Sequence, residues 1–418
     1  MIKFNFYYSI TFWLLFLVVA AGSRSLDPRP KLKGVFLLVS SSIMVLSIPQ
    51  FSLWGFLALL GITALSFYIG LVLNAQTANT SAFKRKGLAF LGIAAVLAFL
   101  AFFKYRAVQH AFLGGAPSSN PQGPAFVFLI GVSYFSFKMI HFLIESYRRK
   151  IESLKALHYV NYILFFSSFI SGPISRYNHF ASQLNAAAKT RLPDDLKNGL
   201  ERIIRGLFKK FVLVQLLMPH ILSAQPKEAS PMSVLGFAGG LYAYALYFYF
   251  DFSGYSDLAI GAARILGLEL PENFNNPFLK RNIRELWLNW HMSLTSWLVD
   301  YIYWPVVRKM RNLEYFRRHP IPLSNMSMII TFIVCGMWHG ETLHFILWGI
   351  YHGLGISAVN IYQRGKRKIK SPALQRYFAS PASRWVGAIV TFNFFALGLS
   401  LFVLDTTQLI DVVRSLKF

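Results

Sequence analysis

Three observations predict an all-α polytopic membrane protein. Of 418 residues, 55% are apolar and only 14% are charged, where a soluble domain carries about a quarter. Long apolar runs recur from one end of the chain to the other. Lys plus Arg is 42 against 17 Asp plus Glu, a net charge of +25, and this charge gathers in alternate loops. Intrinsic disorder is excluded by the aromatic content of 17%, because disordered chains are poor in such residues. A soluble nucleic-acid binder would be basic without being this apolar, so no nucleic-acid partner is expected. Cys335 is the one cysteine, which leaves no intramolecular disulfide and no Cys-built zinc site.

The apolar runs fall at 4–22, 34–48, 51–73, 87–103, 124–144, 157–174, 232–252, 323–338, 343–361 and 384–404. Several are long enough to cross a bilayer as a helix, and the length accommodates about ten such spans. The first run ends in Ala20-Ala21-Gly22, like a signal-peptide cleavage region. Only Lys3 precedes it and further runs follow at once, so a retained first helix is expected. Arg24, Arg29, Lys31 and Lys33 follow the first run, Lys84, Arg85 and Lys86 the third, and Arg148, Arg149, Lys150 and Lys155 the fifth. The intervening loops 49–50 and 104–123 carry only Lys104 and Arg106. Basic loops stay in the cytoplasm, which puts the N-terminus outside. Residues 308–318 and 364–376 are basic again, so the turn at 338–342 is expected on the outer side.

Two stretches do not read as simple spans. Residues 176–231 mix charge with apolar periodicity, as an interfacial or re-entrant segment does. In 281–307, Trp287, Trp290, Leu294, Trp297, Tyr301 and Trp304 recur at helical spacing. They form one face of a helix, either an interfacial aromatic belt or the wall of a cavity. With no internal repeat or linker, a single membrane domain over 1–418 is the simplest organisation.

Polar residues inside apolar segments are costly unless paired or functional. His291 lies beside the tryptophan stripe and His339 between two apolar runs. A neutral imidazole is suited to take a proton from a hydroxyl near neutral pH, although each histidine alone also reads as a helix-packing residue. His339, His344 and His352 are spaced by 5 and 8, which does not put them on one helix face, so no metal site is expected. Serine elbows and phosphate-binding glycine loops are absent. Asp251 and Asp257 are either site carboxylates or structural ones pairing with a cation such as Arg264. Arg176 is either an anion contact or a snorkelling arginine.

The chain resembles the membrane-bound O-acyltransferase family. The resemblance is carried by Phe250-Asp251-Phe252-Ser253-Gly254-Tyr255-Ser256-Asp257 with Pro271-Glu272-Asn273-Phe274-Asn275-Asn276-Pro277-Phe278, by Trp290-His291-Met292-Ser293-Leu294 with Asp300, and by Trp338-His339-Gly340 with Trp348-Gly349 and His352-Gly353. With Ser171-Gly172-Pro173-Ile174 and Tyr177, these motifs occupy roughly 125–405. The resemblance implies about 10–12 helices around a tunnel, interfacial or re-entrant helices among them. It also implies an acyltransferase in which the embedded His339 is essential and His291 is a second family position. Arg176, Asp251, Asp257, Asn275, Trp290, Ser293, Asp300 and Trp338 are the expected substrate contacts.

Two bacterial branches of the family look similar, and the D-alanyl transfer branch is the one expected, with the O-acetyltransferase branch as the alternative. Lys210-Phe211-Val212-Leu213-Val214-Gln215 and Thr391-Phe392-Asn393 resemble the D-alanyl transfer proteins of teichoic acid D-alanylation. Phe252-Ser253-Gly254-Tyr255-Ser256-Asp257 and Leu347-Trp348-Gly349 look more like the alginate and peptidoglycan O-acetyltransferases. The first branch implies a D-alanyl thioester on the phosphopantetheine of a small acidic carrier protein, docking on cytoplasmic basic loops, and an envelope-facing, membrane-anchored partner. Those loops would equally attract anionic lipid. The second branch implies acetyl-CoA as donor. Neither implies a bound cofactor, and both place the protein in the bacterial cytoplasmic membrane. Glu341, Leu343-His344 and Val299 depart from the family pattern and leave the substrate open. A transporter or flippase with embedded polar residues is the reading from a different class.

Overall fold

The computed structural model describes residues 9–48, 51–75, 81–113, 129–185, 192–221 and 234–415. Parts of the runs at 4–22 and 124–144, most of the loop 104–123 and parts of 176–231 lie outside the described residues. Those described are helical, with no strand among them. Five helices are long and apolar enough to cross a membrane: Leu53–Ala75, Ala82–Lys104, Pro320–His339, Leu343–Lys366 and Pro381–Val403. The protein is an all-α, multi-pass membrane protein. It packs as two compact units, Met1–Ile204 with Ser256–Pro271, and Arg205–Tyr255 with Glu272–Phe418.

In the first unit the chain forms α1 (Ile10–Ser25), α2 (Pro30–Leu46), α3 (Leu53–Ala75), α4 (Ala82–Lys104), α5 (Arg106–Leu113) and α6 (Val132–Tyr147). α7 (Ala156–Leu164), α8 (Phe166–Phe169), α9 (Tyr177–Asn185) and most of α10 (Leu192–Phe208) follow. The run at 157–174 is therefore not one span. At 1.5 Å per residue, the nine residues of α7 reach about 14 Å. Beyond α8 the backbone is irregular around Gly172-Pro173, where Pro173 has no amide hydrogen to give a helix. A Cβ on Gly172 would stand 2.4 Å from Ser168 Cα, so only glycine fits that fold-back.

Charge in this unit is used for bracing. Arg24 donates from Nε to the carbonyl of Ile265 at 2.6 Å, and from an Nη to the carbonyl of Arg264 at 2.8 Å and to Asp195 at 3.0 Å. It thereby satisfies carbonyls that the end of a helix leaves without partners. Lys33, 6% exposed, is paired with Asp27 at 2.5 Å. Arg24 and Lys33, counted above as loop charge, are thus tied into the structure. Lys138 is fully buried and donates to the Tyr162 carbonyl and to Ser168 Oγ at 3.0 and 2.9 Å.

The second unit contains α11 (Val214–Leu217), most of α12 (Val234–Ile265), α13 (Ile283–Leu288), α14 (Met292–Leu298), α15 (Trp304–Met310) and α16 (Glu314–Arg318). It ends with α17 (Pro320–His339), α18 (Leu343–Lys366), α19 (Pro372–Ala379), α20 (Pro381–Val403) and α21 (Thr406–Ser415). Prolines open α17, α19 and α20, where the missing amide hydrogen costs nothing. Its core gathers Trp287, Trp290, Phe332, Trp348, Phe395 and Leu399.

Candidate active site

The aromatic stripe does not lie on one unbroken helix. α13 stops at Leu288, and His291 adopts left-handed backbone angles (φ 43°, ψ 52°) before α14 begins. The segment 272–276 holds this reversal in place. Met292 N–H donates to the Asn273 carbonyl at 2.9 Å, and Asn275 N–H to the Asn289 carbonyl at 3.1 Å. After α14 the helix widens to a π-turn over Val299–Tyr303. Pro305 lies just beyond, with no hydrogen to give Tyr301, and a widened turn absorbs such a defect. The stripe is buried at Trp287, Trp290, Leu294, Trp297 and Tyr301, and leaves the core at Trp304, which is 49% exposed.

Between these broken helices and α17, α18 and α20 is a cavity of about 310 Å³. It is lined mainly by aromatic and aliphatic side chains, with both His291 and His339 in its wall. His339 is the last residue of α17. Its ring is enclosed by Trp338 at 4.5 Å, Phe402 at 5.0 Å and Trp348 at 5.2 Å between centroids. Gly340 makes the turn that follows: a Cβ there would stand 2.2 Å from the Phe345 ring.

His291 is 5% exposed and its Nδ1 lies 3.3 Å from Asn273 Oδ1. The same Oδ1 accepts from Ser293 N–H at 3.4 Å and from Ser293 Oγ at 2.6 Å. A backbone N–H can only donate, so the Asn273 atom facing it is the acceptor oxygen. In the bond to that oxygen Nδ1 carries the hydrogen, which leaves Nε2 as the acceptor of a neutral ring. Burial pushes the His291 pKa from 6.5 down to about 3, so the ring is uncharged near neutrality.

Between those two values the unfolded chain takes up a proton that the folded chain refuses, so stability is lost as the pH falls. His291→Asn is expected to flatten the pH dependence of thermal stability between about pH 7 and 5, by up to about 1.4 kcal/mol per pH unit. Thermal midpoints of the purified variants check this, and identical slopes would contradict the burial argument.

The other sequence-predicted residues are dispersed. Trp290 lines the cavity with the two histidines. Ser293 stands behind His291 through Asn273, and Trp338 packs on His339. Asp251 is paired with Lys210 Nζ at 2.5 Å, while Asn275 and Asp300 are exposed and outside the cavity wall. Asp257 and Arg176 belong to the first unit. There Asp257 pairs with Arg202 and not with Arg264, whose partners are Asp195 and Glu269. Sequence reasoning did not single out Arg284 or Trp348 as site residues. Arg284 supplies the only Lys or Arg among the described residues lining the cavity. Trp348 is 3% exposed, and its Nε1 has no hydrogen-bond partner among the described residues. No group of three or more His, Cys, Asp or Glu residues suited to a metal ion occurs among the described residues.

Two imidazoles on one mainly aromatic cavity, in a chain that crosses the bilayer repeatedly, put the protein among membrane-embedded enzymes. It belongs to the membrane-bound O-acyltransferase family, whose sequence model matches residues 50–401, and it is an O-acyltransferase. Over 278 residues it is 31% identical to the teichoic acid D-alanyltransferase of Bacillus subtilis, covering 65% of this chain and 68% of that protein. It is 30% identical over 360 residues to the probable alginate O-acetylase of Pseudomonas syringae, covering 84% of this chain and 65% of the relative. The peptidoglycan O-acetyltransferase of Helicobacter pylori is similar at 28% identity, over 81% of this chain and 65% of its own length.

Proposed function

We propose that the protein moves a D-alanyl group from a carrier-protein thioester to hydroxyls of a teichoic-acid-type polymer. The observation that carries the acyl-transfer chemistry is the presence of His291 and His339 on one cavity. Its volume of about 310 Å³ lies at the small end of ligand sites. That size suits a slender pantetheine arm with a small acyl group. The acyl group itself is chosen by similarity to the D-alanyltransferase relatives.

In this reading the acceptor hydroxyl oxygen attacks the thioester carbonyl carbon. The C–O bond forms as the C–S bond breaks. His339 takes the hydroxyl proton and passes it to the departing thiolate. His291, with Nε2 as acceptor, orients the hydroxyl; in that tautomer Nε2 cannot donate to a carbonyl oxygen. Trp348 Nε1–H is the donor available to the carbonyl oxygen as charge develops there. Exposed Arg284 is placed to meet the phosphodiester of the arm. Of the remaining expected contacts, Ser293 braces His291 through Asn273 and Asn275 helps to hold the reversal at His291; Arg176, Asp251, Asp257 and Asp300 take no direct part in the transfer in this reading. The donor is an acidic carrier arriving at basic cytoplasmic loops, and a membrane-anchored partner receives or relays the product outside. The protein sits in the bacterial cytoplasmic membrane with its N-terminus outside.

Two observations favour a second reading, O-acetylation from acetyl-CoA. The O-acetylase relatives match more of this chain, 84% against 65%. In addition, no carboxylate lines the cavity among the described residues to meet a D-alanyl ammonium, which ring faces alone would then hold. Purified protein in vesicles, offered labelled D-alanyl carrier or labelled acetyl-CoA with teichoic acid or alginate acceptor, separates the two. Ester-linked D-alanine on teichoic acid is expected. Label passing only from acetyl-CoA establishes the second reading in its place.

A further inference from the structure

A second cavity in the second unit, larger than the first, lies apart from the histidines. It measures about 730 Å³ and is walled by the end of α18, by α19, by the start of α20 and by residues 281–283. Arg281, Lys366, Arg367 and Arg384 converge on it, and no Asp or Glu lines it among the described residues. Arg281 is held by Glu285 at 2.7 Å. Lys366, Arg367 and Arg384 have no carboxylate partner among the described residues. The Lys366 ammonium instead lies 4.3 Å from the centre of the Phe378 ring. Three unpaired cations facing one space repel one another, and an anion between them would relieve this.

The position of the cavity says which anion. Lys366 is the last residue of the span α18, and Arg384 lies in the first turn of the span α20. The same wall continues down α20 through Val386 and Val390, which are 51% and 63% exposed. Tyr362 and Tyr377, also on the wall and exposed, are residues of the kind that sit at headgroup level. The cavity is thus cationic where the spans end and apolar just inside the bilayer. The helix N-terminus at Pro381 adds positive potential on the same side.

We propose that this cavity binds the phosphate of an anionic glycerophospholipid, with the acyl chains lying along Val386 and Val390. A soluble phosphate would use the cations and leave the apolar wall uncovered, whereas a lipid covers both. The site is separate from acyl transfer and its test reads no transfer.

Native mass spectrometry of the full chain, with phosphatidylglycerol or phosphatidylcholine of the same acyl chains, provides the test. Phosphatidylglycerol is expected to be retained preferentially. Arg367→Gln with Arg384→Gln should lower its retention about tenfold, to the phosphatidylcholine level. Arg367→Lys with Arg384→Lys should preserve it, and so should Lys84→Gln with Lys86→Gln, which removes equal charge elsewhere. Phosphatidylcholine retention and thermal midpoints report whether each variant is folded, and the headgroup preference of the unaltered chain stands as a test on its own. Equal retention of the two lipids, unchanged retention in the glutamine variant, or displacement of phosphatidylglycerol by glycerol 3-phosphate or coenzyme A would each overturn the proposal.

Discussion

His339→Gln is expected to lower acyl transfer by about 10²–10⁴-fold, the usual weight of a positioned general base, with the amount of folded protein unchanged. Glutamine fills much of the space of the imidazole among Trp338, Trp348 and Phe402 but cannot carry a proton between hydroxyl and thiolate. The loss belongs in kcat, because donor and acceptor contacts in the rest of the cavity survive. Single-turnover transfer from a preloaded donor, with protein matched by quantitative blotting and thermal midpoint, measures it. Transfer within a factor of about three of the unaltered protein would remove His339 from the chemistry. His291→Asn makes the contrast sharper. An amide can still pair with Asn273 and accept a hydroxyl hydrogen, so this variant should keep more activity than His339→Gln.

Much of the fold was legible in the sequence wherever lipid leaves the chain one solution. The runs at 51–73, 87–103, 323–338, 343–361 and 384–404 correspond to α3, α4, α17, α18 and α20. About 20 apolar residues bounded by charge or proline satisfy their backbone in a bilayer only as a helix. Where protein surrounds the backbone, that constraint is lifted and periodicity misleads. The stripe from Trp287 to Trp304 keeps helical spacing through the reversal at His291. What breaks the helix there is a pair of backbone hydrogen bonds, Met292 N–H to the Asn273 carbonyl and Asn275 N–H to the Asn289 carbonyl, whose outer partners no window over 281–307 contains. The run at 157–174 differs: its helix is already interrupted at Phe165 (φ −51°, ψ 106°) and ends at Phe169, ahead of Gly172-Pro173, which the sequence displays.

The candidate site was partly legible for the same reason. His291 and His339 stood out as polar side chains in apolar surroundings, and they share a cavity. Asp251 and Asp257 stood out equally, yet Lys210 and Arg202, 41 and 55 residues away in sequence, are their partners. Trp348 was legible only as part of a motif. An indole looks like core in any apolar helix until the absence of a partner for Nε1 is seen.

Gly349→Ala should damage both fold and activity, although it adds a single methyl group. α17 and α18 meet backbone to backbone along three glycines. A Cβ on Gly349 would lie 2.3 Å from the Phe332 carbonyl oxygen, one on Gly336 2.2 Å from that of Phe345, and one on Gly353 2.8 Å from Ile329 Cα. Gly349 and Gly353 form the small-xxx-small spacing by which membrane helices approach closely. Neither partner atom is the end of a flexible side chain, so the helices themselves must part by about 1 Å to restore ordinary contact. Overpacking of this kind costs about 1–3 kcal/mol. The functional penalty is larger, because α17 ends on His339 and Trp348 directly precedes Gly349. A displacement of about 1 Å between reacting groups is enough for a loss near 10²-fold. Gly61→Ala, in the middle of α3 with nothing within 4 Å of the added carbon, is the control: it should leave transfer unchanged and the thermal midpoint equal or higher. Equal midpoints and equal transfer rates for the two variants would mean that the glycine contact does not set the position of His339.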